Sequence, residues 1–109
     1  METKIPENIK WLHPFSFEES SVTEVHIPDN TIVANYVFRY CPRLTKVYFG
    51  GPNIELFSNS FYASMKIKLI TFNGTVEEYA RNYTTTFGTI EKVVCNNAIM
   101  EYGKVTKRF

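Results

Sequence analysis

Cysteine is scarce in this 109-residue chain. There are two, Cys41 and Cys95, too few for a disulfide framework and compatible with a reducing compartment. Histidine is scarce as well: His13 and His26 are expected in different sub-elements, with no Cys, Asp or Glu at metal-ligand spacing, so no metal site is expected. Charge of one sign is missing. Twelve basic and 11 acidic residues leave a net charge of +1, which builds no field for nucleic acid or an anionic membrane. Lys104, Lys107 and Arg108 near the C-terminus read as a solvated basic tail. No apolar run approaches the length of a transmembrane helix, and the first 20 residues lack the apolar stretch of a signal peptide. The chain is therefore expected to carry no export signal, to be made in the cytoplasm and not to bind a membrane. A cell-surface location applies if it is a fragment of a larger exported protein.

Catalytic chemistry is missing too. Ser16, Ser20, Ser21 and Ser58 lie in no Gly-x-Ser-x-Gly elbow and have no His-carboxylate relay. Glu18-Glu19 reads as a polar corner and Glu77-Glu78 as a helix N-terminus, where negative charge is favourable. No catalytic residue and no cofactor are expected, and the chain does not read as an enzyme.

What is present is aromatic residues and a repeat. Nine Phe and seven Tyr help raise the aromatic fraction to 16%, which suits a thin core closed from two sides. A chain of this length reads as one domain, 1–109, burying about two-thirds of its unfolded surface. Ile5, Ile27, Phe49, Phe72 and Cys95 each close a short apolar phrase, and they follow one another at steps of 22 or 23 residues. A unit of that length cannot bury its own apolar face, so the copies must stack into a solenoid. Alternation within Val22–Ile27, Leu44–Phe49, Ile67–Phe72 and Ile90–Cys95 predicts one strand per rung, paired in parallel. Turn residues follow: Pro28-Asp29-Asn30, Gly50-Gly51-Pro52-Asn53 and Asn73-Gly74. A second apolar segment then returns through irregular turns to Phe17, Phe38 or Phe61, each expected to point into the stack.

The last unit differs. Thr75-Val76-Glu77-Glu78 is a capping box, predicting a helix from Val76 to Tyr83 that the run Thr84-Thr85-Thr86 and Gly88 should end. Asn96-Asn97 should turn strand Ile90–Cys95 back into a strand over Ala98–Tyr102. Residues 1–72 thus read as about four rungs of a mainly β, curved parallel-sheet solenoid. Residues 73–109 read as a helix-plus-hairpin cap.

These phrases resemble the BspA-type leucine-rich repeat, clearest in Val25-His26-Ile27-Pro28-Asp29, Tyr36-Val37-Phe38-Arg39-Tyr40-Cys41 and Leu44-Thr45-Lys46-Val47. One copy keeps the family's Cys, at Cys41, while Ser20 and Ser64 stand at the equivalent places. The resemblance implies a non-enzymatic interaction or structural protein with a protein partner, formed as a homo- or hetero-assembly. For a short member it implies a component of a phage virion or other surface assembly. The alternative it implies is an adhesion module binding a host-surface protein or glycan through the sheet face.

Alternation sends Val25, Ile27, Val47, Phe49, Ile70, Phe72, Val93 and Cys95 inward. The outward residues form two ladders, Lys4, His26, Tyr48, Thr71, Val94 and Glu2, Glu24, Lys46, Leu69, Lys92. The candidate binding face is Glu24, His26, Lys46, Tyr48, Leu69, Thr71, Lys92 and Val94, centred on Tyr48 and His26. The competing reading is a solvated face with cross-strand pairs such as Glu24 with Lys46. No N-terminal cap precedes Ile5, so the first strand edge is expected to be open to another chain.

Overall fold

The computed structural model describes residues 2–109; Met1 lies outside the described residues. Five short strands lie parallel in the order of the repeats: β1 (Glu2–Lys4), β3 (Glu24–Ile27), β5 (Lys46–Phe49), β7 (Leu69–Phe72) and β8 (Lys92–Val94). Each residue pairs with the one 22 or 23 positions further on, as in Val25 with Val47 and Val47 with Ile70. The intervening strands β2 (Trp11–Leu12), β4 (Ile32–Val33) and β6 (Glu55–Leu56) also pair in parallel, as a separate three-stranded sheet. The return segments were expected to be irregular turns. They are regular enough for two residues per rung to form a ladder, because Leu12, Val33 and Leu56 repeat the same inward register.

Every residue expected to point inward from the first sheet is buried, from Val25 and Ile27 through Val93 and Cys95. Phe17, Phe38 and Phe61 stack face to face, with centroids 5.1 and 4.9 Å apart. Such ring pairs contribute about 0.5–1.5 kcal/mol each beyond their area. Several polar side chains inside the stack tie one rung to the next. The Ser60 hydroxyl donates to the Val33 carbonyl at 2.9 Å. The Cys41 thiol donates to the Phe17 carbonyl at 3.2 Å, and the Ser64 hydroxyl donates to the carbonyl of Phe38. Cys and Ser therefore exchange at this corner because either can tether the preceding rung. The third unit has Phe49-Gly50 in place of Ile27-Pro28, and a Cβ on the following Gly51 would lie 2.2 Å from the Asp29 carboxylate carbon. That carboxylate accepts from the Asn53 amide at 2.8 Å and its side chain at 3.2 Å.

The helix α1 (Val76–Phe87) begins at the expected capping box, with both reciprocal bonds formed at Thr75 and Glu78. It does not stop at Tyr83. It continues through the three threonines to Gly88, whose φ is 64° and whose amide donates to the Thr84 carbonyl. Tertiary packing overrides the weak propensity of that stretch. The Tyr83 hydroxyl donates to the Ile54 carbonyl at 2.8 Å. The Phe87 ring sits 5.0 Å from Phe61, adding a fourth ring to the phenylalanine column.

The C-terminus also departs from expectation. β9 (Ala98–Glu101) returns antiparallel against β8, and the chain turns again at Tyr102-Gly103. Their φ values of 51° and 83° fit the tight turn a two-residue hairpin needs. Lys104 to Arg108 is a strand, β10 (Lys104–Arg108), paired with β9, while all five of its residues stay exposed to solvent. The first sheet runs β1-β3-β5-β7-β8-β9-β10 and remains open. Its C-terminal edge is lined by Lys104, Lys107 and Arg108, a charge pattern that discourages further pairing.

Candidate functional site

The expected ladders are present residue for residue. Lys4 pairs with His26, His26 with Tyr48, Tyr48 with Thr71 and Thr71 with Val94. Beside them run Glu2, Glu24, Lys46, Leu69 and Lys92 in the same register. Both ladders lie on one face because alternate residues of a strand point the same way. Lys46 and Lys92 are exposed, while Glu24, His26, Tyr48, Leu69, Thr71 and Val94 are half-buried by their neighbours. Six of the eight candidate residues, all but Lys92 and Val94, line one shallow depression of about 230 Å³. Lys92 and Val94 extend the same face by one rung. The His26 and Tyr48 rings lie 5.1 Å apart and tilted by 38°.

The charges pair differently from expectation. Among the described residues the ion pairs of Glu24 run to His26 and none runs to Lys46. The His26 Nε2 is 2.8 Å from Glu24 Oε2 and 2.6 Å from Glu2 Oε2. The bond with His26 is the main reason the Glu24 carboxyl lies below its ordinary range, against partial burial, which raises it. No carboxylate was expected within ligand distance of either histidine. The structure overturns this for His26, because the two acids arrive from the same strand and from the preceding rung. Spacing along the chain does not show such a cluster, whereas the ladders do. His13 lies on the opposite side with its ring 4.2 Å from Trp11.

A second surface feature escaped sequence reasoning. Phe15, Tyr36 and Tyr40 gather around Arg39, whose guanidinium lies 5.3, 5.4 and 5.1 Å from their rings, and Tyr62 packs edge-on against Tyr36 and Tyr40 at 5.9 and 6.0 Å. Arg39 also forms an ion pair with Glu18. Phe15, Tyr36 and Tyr40 adopt positive φ of 54–66°. The available cue was an aromatic recurring two residues before the buried Phe, which composition alone assigns to core filling.

The family model of the BspA type leucine rich repeat region matches residues 1–103 in six copies. No curated protein and no solved structure matches the chain. No helix among the described residues is long and apolar enough to cross a membrane.

Proposed function

The chain belongs to the BspA-type leucine-rich repeat family, and from that premise we propose that it is a recognition module whose outer sheet face docks a protein partner. Repeats of this family are generally non-enzymatic binding modules that mediate protein–protein interaction. The observation that carries the assignment to this face is the shared depression over Glu24, His26, Lys46, Tyr48, Leu69 and Thr71. Half-buried aromatic and apolar groups alternate there with charges of both signs, the composition of a protein interface core with a polar rim. The same mixture favours a protein over a glycan as the adhesion target. The virion role implied by the chain's shortness draws no support from the family match.

The test is the double substitution Tyr48→Ala with His26→Ala. Proteins captured by the wild-type chain from an extract of its source cells should be lost from the variant, while the melting temperature stays nearly unchanged. Capture that survives the substitution contradicts the assignment.

A specific observation favours a second contact. β1 and β2 are the terminal strands of the two sheets, so the described chain presents two unpaired strand edges at one end. Trp11, on β2, is 53% exposed beside them. Strand addition is an established way for such an edge to take a partner. Sedimentation over a wide concentration range checks whether a second copy fills it: an oligomer that persists on dilution supports that pairing, and a monomer at all concentrations excludes it.

A further inference from the structure

Glu2 and Glu24 stand directly opposite each other in the β1–β3 register, the only carboxylate pair among the described register pairs of this sheet. Like charges in that position destabilise a sheet. Both side chains nevertheless turn to one point. Glu2 Oε2 and Glu24 Oε2 lie 2.6 and 2.8 Å from the same atom, His26 Nε2. A ring nitrogen carries one N–H or one lone pair, so it cannot serve two carboxylates in full. A divalent ion at that point would neutralise both acids and take the nitrogen lone pair.

We propose that Glu2, Glu24 and His26 form a surface site for a divalent transition-metal ion of the zinc class, clipping β1 to β3. The three ligand atoms lie within 4.8 Å of one another. Zinc binds imidazole nitrogen at about 2.0–2.1 Å and carboxylate oxygen at about 2.0–2.2 Å, and a tetrahedral centre with those bonds spaces its ligands about 3.4 Å apart. The glutamates need open by only about 0.6–0.8 Å from their present distances to the nitrogen, a small rotation for side chains 49% and 30% exposed. An imidazole ligand selects zinc-like ions over magnesium and calcium, which prefer all-oxygen sites. Three protein ligands leave a coordination position open toward solvent, beside the Tyr48 ring. The site shares the proposed recognition face, but it stands whether or not that face binds a protein.

Calorimetric titration of the tag-free chain with ZnCl2, and separately with MgCl2 and CaCl2, tests the proposal without any partner. The expected result is one Zn²⁺ per chain and no comparable Mg²⁺ or Ca²⁺ binding. Glu2→Gln and Glu24→Gln should each weaken Zn²⁺ binding by about tenfold or more, the range even supporting groups around a metal command, and His13→Ala should leave it unchanged. Absence of Zn²⁺ binding, wild-type affinity in both glutamine variants, or loss of binding in His13→Ala overturns the site. Imidazole NMR signals of the wild-type chain decide the matter independently of how the variants fold. Zn²⁺ should shift the His26 signals, and shifts confined to His13 overturn the proposal.

Discussion

Two tyrosines of α1 show how much a single hydroxyl's partner matters. Tyr79 and Tyr83 are both buried, with centroids 5.9 Å apart. The Tyr83 hydroxyl donates to the Ile54 carbonyl at 2.8 Å, whereas the Tyr79 hydroxyl is buried without a hydrogen-bond partner. Burial raises the pKa of both, that of Tyr83 to about 12. Removing an unpaired buried polar group is neutral or stabilising, while removing a paired one leaves its acceptor unsatisfied and costs about 1–3 kcal/mol. Tyr79→Phe should therefore match or exceed wild-type stability in urea denaturation, and Tyr83→Phe should lose about 1 kcal/mol or more. Equal destabilisation by both would contradict the assignment of their partners. Residue-scale chemistry was the least legible part of the sequence. The convergence of Glu2 and Glu24 on His26 depends on how side chains bend after the rungs stack. The gathering of three rings around Arg39 depends on corners with positive φ, which no turn residue at those positions announces.

At the scale of elements, the parallel strands and their register could be read directly, because a 22- or 23-residue period and two-residue alternation leave one consistent alignment. The helix start was equally legible, since Thr75 and Glu78 carry the capping box in their spacing. Its end was not. Propensity over Thr84-Thr85-Thr86 opposes helix, and tertiary contacts, among them those from Phe87 to Phe61 and from Tyr83 to Ile54, carry it to Gly88. The last strand was missed for a similar reason, because a short charged segment looks unpaired until Tyr102-Gly103 folds it onto β9. Thr75→Ala removes the oxygen that accepts from the Glu78 amide at 3.1 Å and should cost about 1 kcal/mol in thermal or urea denaturation. A change under a few tenths would mean that packing, rather than the cap, sets where the helix begins.

For the whole molecule, the core holds groups that resist ionisation. Burial raises the Cys95 thiol to about 11 and the Tyr83 phenol to about 12. Both groups are neutral when protonated, so the folded chain holds these protons more tightly than the unfolded one. Their contribution to stability is fully present below the ordinary thiol value near 9 and is lost as pH climbs through about 11 and then about 12. Urea midpoints should be level from neutral pH to about 9 and fall beyond it; a midpoint that rises across that range would contradict the burial of these groups. Against this closed interior, the outer sheet face carries the functional claim.

That claim is tested most directly by placing a photo-crosslinking residue at Leu69, within the depression, and in a second chain at Tyr62, on the aromatic cluster, and irradiating each in an extract of the source cells. The account predicts discrete protein adducts from position 69 that vanish when Tyr48→Ala and His26→Ala are introduced. Adducts from position 62 alone, or adducts from position 69 that persist in the double variant, would contradict it.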